Sequence, residues 1–205
     1  YDDFVKKKYT EQDRIGSTDP YGTSKACKEL IANLYQKRVF NTKKYFNITT
    51  ARSGNVIGGG DFSKNRILPD YFKSKKKKEI MTIRNPEQIR PWLFVLEPLF
   101  GYLLLAEKVF KRKISFENIG WNFAPNKKNE IKVINLIKKI NILSDKKIKF
   151  KVKKSNFKET DKLTLSSKKS EKYLKWKSIY SVDQALNEII YWYKNYEKKD
   201  NMLAL

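Results

Sequence analysis

Tyr21 and Lys25 offer chemistry most directly, because Tyr21-Gly-Thr-Ser-Lys25 sets a phenol and an ammonium four residues apart. On a helix that spacing stacks the two side chains one turn apart on one face. A free phenol near pKa 10 is a poor base at neutral pH, and an adjacent ammonium favours its ionised form. Such a pair can take a proton from a hydroxyl while hydride leaves the carbon that bears it. The same spacing also suits a plain helix surface. The composition narrows the alternatives. The 205 residues contain no histidine and one cysteine, Cys27. Histidine-based triads, histidine-bound metals and an internal disulfide are therefore excluded, and no metal site is expected. Proton transfer falls to Tyr, Lys, Asp or Glu.

The next chemical signal is cationic. The formal net charge is +23, from 45 basic and 22 acidic residues. A charge of that size invites a nucleic-acid partner. The lysines, however, are scattered from Lys6 to Lys199, and the run Lys75–Lys78 has no interleaved stacking aromatics. A basic nucleic-acid-binding module is therefore the weaker reading, and no nucleic-acid partner is expected. Arginine is scarcer and more informative. Four of the seven arginines (Arg52, Arg66, Arg84 and Arg90) fall within 39 residues. A guanidinium fork grips phosphate bidentately where lysine does not. The stretch reads as a phosphate-reading site or as a set of structural ion pairs, and spacing alone leaves both open. Gly58-Gly59-Gly60 reads as a flexible turn. No apolar run reaches the roughly 18 residues of a membrane span; the longest, Leu99 to Val109, contains Gly101 and Glu107. No membrane association and a cytoplasmic location are expected.

These residues need a scaffold. Asp19-Pro20 opens a helix, with Asp19 able to cap it and Pro20 suited to its first turn. Ala26, Leu30, Ile31, Leu34 and Tyr35 recur at helical spacing to about Phe40. Phe46 to Ala51 reads as a strand, Ser53 to Asn65 as a loop, and Ile67 to Lys75 as a short helix. Extended pieces follow at Ile80–Ile83 and Trp92–Val95, then an apolar helix from Pro98 to about Lys111. Ile131 to Leu143 reads as a helix, Ile148 to Val152 as a strand within the lysine-rich stretch 146–158, and Lys168 to Leu174 as a short helix. Ser181-x-x-Gln184 is a capping box for a last helix to about Tyr196. Helices and strands alternate, so the class is α/β.

The order of motifs adds a resemblance. Asp19-Pro20-Tyr21-Gly-Thr-Ser-Lys25 is followed by Ala51-Arg-Ser-Gly-Asn-Val-Ile-Gly-Gly-Gly-Asp61, Arg66-Ile-Leu-Pro-Asp70, Ile83-Arg-Asn-Pro-Glu-Gln-Ile-Arg-Pro-Trp92, Val95-Leu-Glu-Pro-Leu-Phe-Gly-Tyr-Leu-Leu-Leu-Ala106 and Gly120-Trp-Asn-Phe-Ala-Pro125. This series resembles the extended short-chain dehydrogenase/reductases. Within them it is similar to the CDP-glucose 4,6-dehydratase family more than to epimerases or dTDP-glucose dehydratases. The strong match spans about residues 19–125. The tail, with Leu163-Thr-Leu-Ser-Ser-Lys168 and Leu174-Lys-Trp-Lys, matches weakly.

The resemblance implies a fold: the C-terminal part of a Rossmann-type doubly wound parallel sheet plus a smaller α/β substrate-binding domain. Residues 1–57 would carry the former and 58–205 mainly the latter, with 91–112 packing back on the Rossmann part. It implies NAD as cofactor, CDP-glucose or a related nucleotide sugar as substrate, and a homodimer through the Tyr21–Phe40 and Pro98–Lys111 helices. Tyr21 would be the base at the sugar 4-hydroxyl. Lys25 would favour the phenolate and hold the nicotinamide ribose, and Ser53 would lie at the nicotinamide end. Asn55, Arg66, Arg84, Arg90 and Asn122 would contact the substrate, with Arg90 on its diphosphate and Arg84 near its base.

There are departures. Leu93-Phe94 stands where these dehydratases commonly carry Gln-His, Ser166 stands where Asp is expected, and Lys175 stands where Gly precedes the tryptophan. Neither G-x-G-x-x-G nor G-x-x-G-x-x-G occurs in the 205 residues, so the phosphate-binding turn of a dinucleotide fold is not in this sequence. In the resembled family that turn and the Thr, Asp and Lys of water elimination lie upstream of the Tyr–Lys motif. Asp2 and Asp3 do not take those roles by position. The expectation is therefore the C-terminal portion of a longer enzyme, inactive alone. A non-catalytic interaction protein on the same fold is the remaining alternative.

Overall fold

The computed structural model describes residues 1, 8–17, 19–40, 47–111, 113, 119–145, 147–153 and 164–197. Phe46, Leu163 and most of the lysine-rich stretch after Lys153 lie outside them, as do Asp2 and Asp3.

Helix α1 spans Pro20–Tyr35 and widens into a π-helical turn at Gln36–Phe40. Its start follows from two residues. Pro20 lacks only an N–H that would go unused there, and the Asp19 carboxylate accepts from the Gly22 N–H at 2.9 Å. Strand β1 (Thr50–Ser53) comes next, then β2 (Asn55–Ile57), where a loop was expected. Helix α2 (Ile67–Lys77), β3 (Met81–Ile83), β4 (Ile89–Phe94) and α3 (Leu96–Phe110) follow. Then come β5 (Gly120–Phe123), a 3-10 turn at Lys127–Asn129, β6 (Glu130–Lys132) and α4 (Val133–Leu143). The expected helix from Ile131 therefore begins two residues later, because Ile131 and Lys132 pair with Arg90 and Ile89 of β4. Strand β7 (Phe150–Val152), α5 (Lys168–Leu174) and α6 (Val182–Glu197) complete the order. The capping box at α6 is formed: Ser181 N–H donates to Gln184 Oε1 at 2.8 Å, and Gln184 N–H donates back to Ser181 Oγ at 3.2 Å.

The strands form three small sheets. β1 pairs in parallel with β5, β2 in parallel with β4, and β3 in parallel with β7. β6 adds antiparallel to β4. Each parallel pair needs a crossover, and helices supply it, as an α/β chain requires.

Among the described residues, a small apolar cluster joins Tyr9, Ala124 and Leu165, and the two larger ones position the site. One joins α2, β3, β4, α4 and α6 through residues such as Tyr71, Met81, Trp92, Ile137 and Leu186. The other gathers Leu93, Leu105, Trp121, Phe123, Leu174 and Trp176 where α3 and α5 cover β5. β4 contributes to both: Trp92 and Phe94 face the first and Leu93 the second, the alternation a strand imposes. In α3, a Cβ at Gly101 would stand 2.4 Å from the Phe123 ring, so the helix lies directly on β5 because that position has no side chain.

The glycine run is a packing feature and not the flexible turn its composition suggested. A Cβ at Gly59 would fall 2.4 Å from Trp192 Cγ, and Gly60 holds φ at +77°. Trp192 of α6 thus covers Gly59 and Gly60, while Gly58 lies against Val95. Overpacking of this kind costs about 1–3 kcal/mol. Gly59→Ala is therefore expected to lower the thermal midpoint by several degrees in a melting experiment. An unchanged midpoint would mean that the indole does not sit on the glycine.

Candidate active site

α1 is amphipathic, but its apolar face points outward. Leu30, Ile31, Leu34 and Tyr35 are exposed, while Glu29 and Gln36 are buried. The reason lies in what the sheet side provides. Gln36 Oε1 accepts from the Ile48 N–H at 2.6 Å. The Glu29 carboxylate accepts from Thr50 Oγ1 at 2.6 Å and takes the Arg52 fork at 2.9 and 3.2 Å. Burial by itself would raise the Glu29 carboxyl, but hydrogen bonds from Arg52 and Thr50 and the Arg52 charge hold it below its usual value. Tyr1 closes the network. Its hydroxyl accepts from Arg52 Nη1 at 2.6 Å and donates to Asn122 Oδ1 at 2.6 Å, and its ring lies under the guanidinium, 5.0 Å from centroid to carbon. Arg52 is thus a structural ion pair and leaves the set of four arginines available for phosphate.

Tyr21 and Lys25 stand at the other end of the same helix, both exposed. The Lys25 ammonium sits 5.0 Å from the centre of the Tyr21 ring, which is 67% exposed. One turn of helix has brought the two together as the spacing required. Ser53 ends β1, its hydroxyl accepting from Tyr102 Oη of α3 at 2.9 Å. β1 and β5 therefore end side by side at Ser53 and Phe123, and the carboxyl ends of parallel strands are where α/β sheets receive ligands. The exposed Tyr–Lys pair lies on the helix that Glu29 ties to β1, toward that helix's N-terminal end.

The substrate candidates fall into two groups. Asn55 pairs with Trp92 across β2 and β4, which sets it diagonal to Arg90. Arg90 is half-buried, and its guanidinium donates to Gln88 Oε1 at 2.6 Å and to the Ile89 carbonyl at 3.1 Å. Those bonds aim the fork along the β3–β4 turn. Arg66 and Arg84 form the second group, both exposed at the start of α2. Arg84 donates to the side chain of Asn65, which holds a left-handed φ of 62° just before Arg66 at the helix cap. Arg84, tied to Asn65, thus lies near the positive end of the α2 dipole that Arg66 caps, with Asp70 of the same turn also facing it.

Asn122 does not join either group. It is 0% exposed on β5, its amide taken by Tyr1 Oη and, at 3.4 Å, by the Tyr9 carbonyl. Its backbone N–H donates to Glu11 at 2.8 Å, and its carbonyl accepts from Ser170 Oγ at 2.6 Å. Asn122 is a core residue that ties β5 to the N-terminal segment and α5, which corrects its expected place in the substrate pocket.

Sequence reasoning missed several residues around the site. Glu29 lies four residues beyond Lys25, and that continuation of the stripe was the available signal. Tyr102 and Tyr1 meet Ser53 and Arg52 across 49 and 51 residues and leave no local trace. Lys169 donates to the Gly120 carbonyl at 2.6 Å and lies 4.1 Å from the Trp121 ring. Burial brings its ammonium down to about 8. Among the described residues, no cluster of His, Cys, Asp or Glu could hold a metal ion, and no helix is long and apolar enough to cross a membrane.

Parallel strands ending beside a helix that presents Tyr and Lys one turn apart define a Rossmann-like fold of the nucleotide-sugar epimerase and dehydratase type. The chain belongs to the family described as GDP-mannose 4,6-dehydratase, which it matches over residues 1–189. It is 34% identical over 200 residues to a CDP-glucose 4,6-dehydratase of Salmonella typhimurium, covering 95% of this chain and 55% of that protein. Among solved structures it resembles a Bacillus anthracis dTDP-glucose 4,6-dehydratase in complex with NAD (TM-score 0.75, 18% identity, 94% of this chain and 57% of that one). It also resembles a Bacillus cereus UDP-glucuronic acid 4-epimerase in complex with UDP-glucuronic acid and NAD (TM-score 0.78, 17% identity, 94% and 58%). The chain therefore spans about half the length of the relatives it matches.

Proposed function

We propose that this chain is the C-terminal part of a cytoplasmic, NAD-dependent nucleotide-sugar 4,6-dehydratase that converts CDP-glucose to CDP-4-keto-6-deoxyglucose. The observation that carries the reading is the exposed Tyr21–Lys25 pair at the capped start of α1, in a chain 34% identical to a CDP-glucose 4,6-dehydratase. Bound NAD would accept hydride from C4 and return it at C6, with loss of water across C5–C6 in between. The chain's own residues do the rest. Tyr21 takes the proton of the 4-hydroxyl. Lys25 sets its ammonium against the Tyr21 ring and, with Ser53, holds the ribose end of the cofactor. Arg90 and Asn55 take the diphosphate, and Arg66 and Arg84 receive the nucleotide end. The shared demand is electrostatic: a diphosphate with two negative charges needs fixed donors in a partly dry cleft.

Residues 1–57 would complete the cofactor domain and 58–205 would mainly hold the sugar nucleotide, with 91–112 lying back on the cofactor domain. The outward apolar faces of α1 (Leu30, Ile31, Leu34) and α3 (Leu99, Phe100, Leu103) would pair two copies, since contiguous apolar surface of that kind is costly to leave wet.

The test is a substrate panel with the full-length protein and NAD: CDP-, dTDP-, UDP- and GDP-glucose, with products separated by chromatography. Turnover of CDP-glucose at least tenfold above the others is expected. Preference for another nucleotide, or interconversion of 4-epimers without loss of water, overturns this reading in favour of a different member of the same family. Salt-dependent DNA or RNA binding without affinity for any sugar nucleotide would return the charge to a nucleic-acid role.

A further inference from the structure

We infer that Glu29 is a positioning residue that sets the rotation of α1 against β1, and thereby the place of Tyr21 and Lys25 beside Ser53. The inference rests on the proposed role of Tyr21 and Lys25 and adds to it a part that neither the fold nor the relatives assign.

The argument starts from helical geometry. Successive residues turn by about 100°, so steps of four drift by only about 40°. Tyr21, Lys25 and Glu29 therefore lie along one slowly winding stripe, with Glu29 about 80° round from Tyr21. Gln36 returns to the same side about four turns below Tyr21. Only the lower part of that stripe is buried, at Glu29 and Gln36, while Tyr21 and Lys25 project into the open.

A helix that meets a sheet through an apolar face can turn by some degrees at little cost, because dispersion contacts are non-directional. α1 has no such face toward the sheet. Its apolar residues face outward, and its inner side is held by directional bonds. The Glu29 carboxylate takes three donors from two alternate residues of one strand, Thr50 and Arg52. The Arg52 fork is planar and accepts a carboxylate in one plane only. Arg52 is in turn fixed by Tyr1, and Tyr1 by Asn122 of β5. Helix rotation is thus referred to both strands that end at the ligand edge, and Ser53 is the very next residue after Arg52. The Gln36–Ile48 bond pins the far end of the helix but reaches neither strand. Two residue types in one plane, eight residues below the reacting phenol, set its angle.

The test compares Glu29→Gln with the double variant Glu29→Leu/Arg52→Met in the full-length protein. Glu29→Gln keeps the shape and can still accept from Thr50, but removes the charge. The expected result is kcat reduced about 100-fold, since a misplacement near 1 Å costs that much. KM for the sugar nucleotide should stay within threefold, because the arginine groups lie on other elements and are untouched. Replacing a buried ion pair by apolar residues of similar volume is often neutral for stability. The double variant is therefore expected to melt within a few degrees of the parent while kcat stays low. Recovery of kcat together with the melting temperature would reduce Glu29 to a structural tie and overturn the inference. So would a Glu29→Gln variant that keeps kcat within threefold. If the double variant melts early, Glu29→Gln assayed well below its own midpoint decides alone. Tyr21→Phe separates the two ideas. If it leaves turnover intact, the catalytic reading has failed. If it abolishes turnover while Glu29→Gln does not, only the positioning inference has failed.

Discussion

Tyr21→Phe is expected to lower the proposed dehydratase turnover of the full-length protein by about 10²–10⁴-fold, the range a positioned acid–base group contributes. The substitution deletes one oxygen from an exposed ring that lies 5.0 Å from the Lys25 ammonium. Among the described residues Tyr21 belongs to none of the apolar clusters, so the melting temperature should be unchanged. The arginines proposed for the sugar nucleotide lie on other elements, at the β3–β4 turn and the start of α2. Calorimetric affinity for CDP-glucose should therefore stay within about threefold while kcat falls. That combination is the signature of an interaction made in the transition state only. Loss of affinity in parallel with kcat would place the phenol in ground-state binding instead, and intact turnover would remove it from the mechanism.

The second large effect is on stability. Arg52→Met leaves the Glu29 carboxylate buried without its cation, and breaking a buried pair in this way costs about 3–5 kcal/mol. For a chain of this size each kcal/mol moves the midpoint by roughly 2–4 °C, so a fall of about 6–20 °C is expected. The effect should depend on pH in a defined sense. In the parent, Glu29 titrates below its usual value, so the pair stabilises the fold above the ordinary glutamate range and is lost as pH falls through the lowered value. In the variant the unpaired carboxyl is pushed upward by burial and opposes folding most strongly when ionised. The gap between parent and variant is therefore largest at neutral pH and closes as both carboxyls become neutral in acid. Melting curves from pH 3 to 8 check this. A gap that does not change with pH would show that Arg52 acts through packing alone.

How much of this was legible in advance follows from the range of each interaction. The start of α1 was readable because capping is local: Asp19, Pro20 and Gly22 act within four residues. The same holds for the Ser181–Gln184 box and for α5, whose limits match the expectation. β2, β5 and β6 were not read as strands. They are three or four residues long, and their identity comes from partners tens of residues away, as with Ser53 opposite Phe123. Asn122 was expected at the ligand because its motif resembles one that holds a substrate. Its burial depends on Tyr1 and Tyr9, which lie more than 110 residues away and which no spacing connects to it.

Arginine and helix face illustrate the remaining division. Composition by itself determined that proton chemistry here uses Tyr, Lys, Asp or Glu, and spacing by itself determined that Tyr21 and Lys25 share a face, because both are properties of the local chain. The four clustered arginines were ambiguous between phosphate and ion pairs, and only the tertiary structure assigned Arg52 to an ion pair. It paired Arg52 with Glu29, tied Arg84 to Asn65 before α2 and set Arg90 of β4 against Gln88 and the Ile89 carbonyl. Likewise the periodicity of Leu30, Ile31 and Leu34 announced an apolar face but not its direction. The direction was decided when Thr50 and Arg52 offered three donors to Glu29 on the opposite side. A buried carboxylate with its partners in place is held to one geometry, whereas an apolar stripe accepts any surface that excludes water.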